Sequence, residues 1–201
     1  TATMQPVIVV TVALLGWATA QDDCMPKPGD KQVHPSDCCK FTNIIPEGMK
    51  ATTDKCIQKF PPPPRPSGPP PTGAPMPDPA MKRSHACLGE CIFSESGLLT
   101  SDKTLDRAAI MKYFATTDKD FSPIVSTALT KCLGSYQGDI DQSLECKSGA
   151  AEFKRCLSRE VFLTCPSTFW TSSSECGDLK SKINKCPQMP VHMMAGGPHP
   201  H

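Results

Sequence analysis

Little in this chain of 201 residues is apolar for long enough to cross a membrane. The longest apolar run, Val7 to Gly16, falls well short of the ~20 residues that a spanning helix requires. Charge of one sign is missing as well: 21 Lys and Arg stand against 20 Asp and Glu, with no long block of either. That balance offers neither a basic stripe for nucleic acid nor a polybasic patch for an anionic bilayer. Histidine is sparse. Only His34 and His85 lie outside the C-terminal tail, and no Ser/His/Asp or Cys/His set is recognisable. Convincing period-two alternation is absent, which argues against strands. The chain therefore reads as a non-enzyme with no cofactor, no metal, no nucleic-acid partner and no membrane contact.

Cysteine and proline are abundant instead. Twelve cysteines stand at Cys24, Cys38, Cys39, Cys56, Cys87, Cys91, Cys132, Cys146, Cys156, Cys165, Cys176 and Cys186. Thr1-Ala2-Thr3 ahead of Met4 reads as an N-terminal scar; the short apolar run, closed by Ala18-Thr19-Ala20, reads as a secretory signal over residues 1–20. An even cysteine count behind such a signal implies six disulfides in an extracellular protein, at roughly 2–4 kcal/mol each. Zinc wants closer cysteine pairs in a reducing compartment, so it loses to disulfides. The remaining length suits one domain, residues 21–186, followed by a flexible Gly-, Pro- and His-rich tail over 187–201. His192, His199 and His201 belong to that tail.

Residues 21–50 should be irregular, broken by Pro26, Pro28, Gly29, Pro35 and Pro46. A short helix is expected from Pro46 to Phe60. Eleven prolines between Pro61 and Pro79 then exclude helix or sheet interior and predict a stiff exposed loop over 61–79. Helical periodicity follows over Ala80–Phe93, from Ser101-Asp102 to Thr116, from an N-cap at Ser122 to Gly134, over Ser148–Leu163 and over Ser174–Lys185. The fold class is all-α: a compact bundle of about six to eight short helices, cross-linked by six disulfides around a hydrophobic cavity. Cys87 and Cys91, four apart on one helix, share a face and should each reach a different neighbour. Vicinal Cys38 and Cys39, in an extended segment, should likewise take separate partners.

The cysteine spacing is informative in its own right. Cys56 is followed by Cys87-x3-Cys91, forty residues pass before Cys132, and Cys156-x8-Cys165 completes a set of six. Nine residues separate Cys146 from Cys156, Pro166 directly follows Cys165, and nine more separate that proline from Cys176. This pattern resembles insect odorant-binding proteins, in particular their Plus-C subgroup, over roughly Cys24 to Cys186. The thirteen-residue gap from Cys132 to Cys146 is short for the subgroup, and the proline-rich loop is not a feature of the family. The resemblance implies the bridges Cys56–Cys91, Cys87–Cys156 and Cys132–Cys165. Cys24, Cys38, Cys39, Cys146, Cys176 and Cys186 would then pair among themselves, in any of fifteen ways.

The function so implied is carriage of a small hydrophobic, odorant-like ligand in sensillum lymph or another extracellular fluid, with a homodimer or a chemosensory receptor as further partners. Pocket candidates are the large apolar residues Phe93, Leu99, Ile110, Tyr113, Phe114, Phe121, Val125, Leu129, Phe153, Leu157, Phe162, Phe169 and Trp170. Phe169-Trp170, in a loop between Cys165 and Cys176, suits a wall or lid. His85 is a candidate pH switch for release. The rival reading is a secreted defence protein or protease inhibitor without a ligand cavity. A phospholipase fails on its own chemistry, because Lys40-Phe41-Thr42-Asn43 follows the paired cysteines where a His-Asp pair would stand.

Overall fold

The structure, a computed structural model, describes residues 24, 33–40, 46, 48–64, 78–116, 118–187 and 190–191. The signal segment, most of the proline-rich loop and the tail histidines lie outside the described residues. Among the described residues seven α-helices follow in order: α1 Pro35–Cys38, α2 Gly48–Lys59, α3 Pro79–Glu95, α4 Arg107–Tyr113, α5 Ser122–Ser135, α6 Ala150–Leu163 and α7 Ser174–Lys185, with a 3-10 turn at Tyr136–Asp139 after α5. Isolated bridges at Cys39–Trp170 and Leu99–Leu105 are the β-structure among the described residues. The fold is all-α, disulfide-rich and compact.

Helix ends follow local chemistry. Asp78 caps α3 by accepting from the Ala80 amide at 2.8 Å, with Pro79 at the first helical position. The same helix stops in a Schellman turn. Gly97 takes φ +67°, its amide donates to Ser94, and the Leu98 amide donates to Phe93 at 2.8 Å. Leu98 and Phe93, the two apolar partners of that turn, are both buried.

Several expected boundaries are corrected. Ser101-Asp102 does not start a helix. Leu99 and Leu105 instead pair across a tight turn, closed by Thr100 N–H to Thr104 at 2.8 Å with Lys103 at φ +57°, and Asp106 caps the shorter α4. Ser122 is inside α5 and makes no cap; the Asp118 carboxylate accepts the Asp120 and Phe121 amides. Gly134 fails to end α5, because nothing there demands a left-handed residue and the helix runs on into the 3-10 turn. In the arm expected to be irregular, His34 and Asp37 form a reciprocal cap that nucleates α1. Val191, assigned to the flexible tail, is buried against the core.

α6 is the central helix, packing on α3, α5, α7 and the 3-10 turn. At the α3–α6 crossing a glycine is required for contact: a Cβ on Gly89 would lie 3.0 Å from the Ala151 nitrogen. At the start of α6, Gly149 takes φ +77° beneath the Tyr136 ring, which a Cβ would strike. The outer face of the bundle is laced by ion pairs, including Lys55 and Lys59 to Glu95 between α2 and α3. Those two lysines hold the Glu95 carboxyl below its ordinary range by hydrogen bonding first and charge second.

Six disulfides form the frame: Cys24–Cys186, Cys38–Cys176, Cys39–Cys165, Cys56–Cys91, Cys87–Cys146 and Cys132–Cys156. The implied bridges Cys87–Cys156 and Cys132–Cys165 are therefore replaced, and the six extra cysteines do not all pair among themselves. The reason is local. α5 and α6 lie side by side with Cys132 and Cys156 at a Cα separation of 5.7 Å, within bridging range. Cys87 meets Cys146 just ahead of α6 at 5.1 Å, and Cys39 takes Cys165 at 6.0 Å. Cys87 and Cys91 do reach different elements, and Cys38 and Cys39 take different partners.

Candidate functional site

Three helices each send one phenylalanine to a common point. Phe93 from α3, Phe114 at the end of α4 and Phe153 from α6 form a closed triangle, with ring centroids 6.2, 5.9 and 6.1 Å apart. Tyr113 packs edge-on against Phe114 at 5.4 Å. Phe93 and Phe153 are wholly buried, and Ile110 from the preceding turn of α4 is as well. Phe93–Phe153, Phe114–Phe153 and Tyr113–Phe114 meet edge-to-face, a geometry that adds roughly 0.5–1.5 kcal/mol per pair beyond area burial.

The remaining candidates divide. Phe121 leans on Phe169 at 4.7 Å, and Phe162 on Trp170 at 5.5 Å, so these pairs form two further aromatic contacts beyond the triangle. Val125, Leu129 and Leu157 are buried in the same apolar cluster, and Leu99 packs against it. All thirteen residues thus belong to one continuous core, nine of them buried and Leu99, Tyr113, Phe169 and Trp170 partly so.

The Phe169-Trp170 loop is not built as a lid. Cys39–Cys165 and Cys38–Cys176 clamp it on both sides. Lys40 N–H donates to the Phe169 carbonyl and Thr171 N–H to Cys38, at 2.9 and 2.7 Å. Lys180 Nζ sits 4.6 Å over the outer face of Trp170, a cation–π contact. A wall is the role such a pinned segment fits. Beside it, an open surface depression of about 300 Å3 is lined by Leu163, Gly177, Lys180, Ser181 and Asn184.

Covalent restraint is uneven around the triangle. α3 is tied to α2 and to the segment ahead of α6, and α6 is tied to α5. α4 holds no cysteine, and neither does the whole stretch from Ile92 to Lys131. Among the described α-helices it is the one outside the frame.

His85, half-buried on α3, is held below its ordinary value, mainly by burial and secondly by the nearby Lys154 charge. Arg159, which periodicity did not single out, is buried on α6 and donates to the Ile183 and Cys186 carbonyls at 2.7 and 2.9 Å. It serves the C-terminus of α7, where exposed carbonyls favour a cation. A basic residue on a buried helix face was the available signal. Cys87, Cys146 and Glu145 also lie together, but their two sulfurs are bonded to each other. No protein-family model matches this chain, and no curated protein matches it either. The reading of function therefore rests on residues and geometry.

Proposed function

We propose that the chain is a secreted carrier of small hydrophobic molecules, a binding protein and not an enzyme, which takes its ligand among Phe93, Phe114 and Phe153. The observation behind this reading is the convergence of those rings from three helices, only two of which are locked by disulfides. A ligand entering there replaces ring–ring contact with ring–ligand contact and keeps the apolar surface out of water, at roughly 25 cal/mol per Å2 of area covered. The cross-linked α3 and α6 keep their places while α4, bearing Ile110 and Phe114, moves aside. Resistance to collapse comes from the frame and adaptability from the unbridged segment. The cysteine spacing shared with odorant-binding proteins supports the same reading, as do six disulfides for an extracellular setting. Among the described residues no helix is long and apolar enough to cross a membrane.

The test is fluorescence titration with N-phenyl-1-naphthylamine, a probe that brightens in apolar surroundings. Saturable one-to-one uptake, reversed by an apolar competitor and lost in a folded Phe153→Trp variant that fills the triangle, is the expected result. No uptake by fully oxidised wild type overturns carriage and leaves the inhibitor or defence reading in its place.

A further inference from the structure

We infer that Glu90 and Lys103 form an ionic latch that holds α4, the helix outside the disulfide frame, against α3 and α6, and that ionic strength sets how readily it opens. The latch concerns motion and holds whatever the chain carries. Glu90 lies on α3 between Gly89, at the crossing with α6, and the bridged Cys91. Its side chain is 13% exposed, less than any other acid in an ion pair among the described residues. Both carboxylate oxygens are engaged. Oε2 accepts the Ser148 amide at 3.2 Å, just ahead of α6, and Oε1 accepts from Lys103 Nζ at 3.4 Å. One carboxylate thus joins α3, the approach to α6 and the turn that leads into α4.

Lys103 is an unexpected residue at its place. It takes φ +57°, the one positive φ among the described residues that are not glycine. Glycine or asparagine adopts that conformation at lower cost. What lysine adds is a cation long enough to reach Glu90. The turn passes this hold on to α4 because it is closed at several points. The Thr100 amide donates to the Thr104 carbonyl, and their hydroxyls pair at 2.8 Å. The Asp106 amide donates to the Leu98 carbonyl at 2.9 Å, while the Asp106 side chain caps α4. No disulfide restrains this stretch, which has no cysteine from Ile92 to Lys131. An ion pair between two fully exposed groups is worth little. Here the carboxylate is largely withdrawn from water, so losing its cation leaves a charge that a single amide supports. The ammonium is 75% exposed and open to screening ions, which makes the latch sensitive to salt.

Hydrogen exchange of the full oxidised chain, read at the amides of Arg107–Tyr113 and of α6 in about 20 mM and about 1 M NaCl, tests this. Lys103→Met keeps the strained backbone and removes the charge; Glu90→Gln removes the charge and keeps an acceptor for Ser148. At low salt each should speed α4 exchange roughly two- to fivefold over wild type, the worth of one such pair, with α6 unchanged. Lys103→Arg should exchange like wild type. At high salt wild type and Lys103→Met should converge. Wild-type α4 exchange in Lys103→Met at low salt, a ratio between the two that salt does not change, or equal acceleration of α4 and α6 overturns the latch. The Lys103 variants decide the matter even where Glu90→Gln fails to fold. Failure of wild type to take up an apolar probe overturns carriage and leaves the latch standing.

Discussion

Two glycines in helix interiors provide a measurement of the contact between α3 and α6. Replacing glycine by alanine in a helix lowers the entropy of the unfolded chain and is worth about 1 kcal/mol where the new methyl group meets nothing. Gly177 in α7 is such a place, with no atom within 4 Å of an added Cβ. Gly89 in α3 is the opposite. The same Cβ there lies 3.0, 3.2 and 3.3 Å from the N, Cα and Cβ of Ala151, so the obstacle is largely the backbone of α6 and cannot rotate away. Nor can α6 withdraw freely, since Cys132–Cys156 holds it to α5 and Cys87–Cys146 holds α3 to the segment leading into it. Overpacking against a restrained backbone costs about 1–3 kcal/mol. Gly177→Ala should therefore stabilise by roughly 0.5–1 kcal/mol, and Gly89→Ala should destabilise by up to about 2 after its propensity gain is subtracted. The assay is urea unfolding under non-reducing conditions, with intact mass verifying that all twelve cysteines are bridged in each variant. If Gly89→Ala proves as stabilising as Gly177→Ala, the two helices do not approach as closely as described, and the central crossing is wrong.

Arg159→Met should cost about 2 kcal/mol, because it removes charged hydrogen bonds to the Ile183 and Cys186 carbonyls and leaves the end of α7 unsatisfied; an unfolding midpoint equal to wild type would refute the capping role. For His85, burial first and Lys154 second place the folded pKa below 6.5. The unfolded chain then takes up the proton before the folded one, so this contribution is fully present above pH 6.5 and is lost as pH falls below it. His85→Gln should narrow the stability gap between about pH 7.5 and about pH 5.5, and an unchanged gap would exclude the histidine as an acid sensor. Proteolysis without reduction should release peptides joining Cys132 to Cys156 and Cys87 to Cys146; a Cys87–Cys156 peptide would restore the pairing that the family resemblance implied.

Helix existence was readable where apolar residues recur at helical spacing, as in α3 and α7, whose starts are capped by Asp78 and Ser173. It was misread where Ser101-Asp102 imitated a helix start. Leu99 and Leu105 pair across a turn, and that turn depends on Lys103 adopting φ +57°, a conformation lysine does not advertise. Bridge pairing was less legible still. Spacing records the order of cysteines but not which helices lie side by side, and an extra cysteine at Cys39 was free to claim Cys165. The thirteen apolar residues share one core, because burial follows residue type. Which three rings would meet depended on helix crossings that periodicity does not encode.

The uneven covalent frame makes its own prediction about motion. Three bridges join the N-terminal arm to the C-terminal part of the chain across 162, 138 and 126 residues, and three more bind α2, α3, α5 and α6. Local opening is cheapest where no such link must break, so the seven-residue α4 should open without global unfolding. In hydrogen exchange of the unliganded protein, amides of Arg107–Tyr113 should exchange well before those of α3 and α6. Addition of N-phenyl-1-naphthylamine should slow them selectively, because a ligand seated against Phe114 favours the closed position of α4. α4 amides that exchange as slowly as those of α6, in both states, would mean that no wall moves. A triangle of touching rings with no moving wall has no route for a guest.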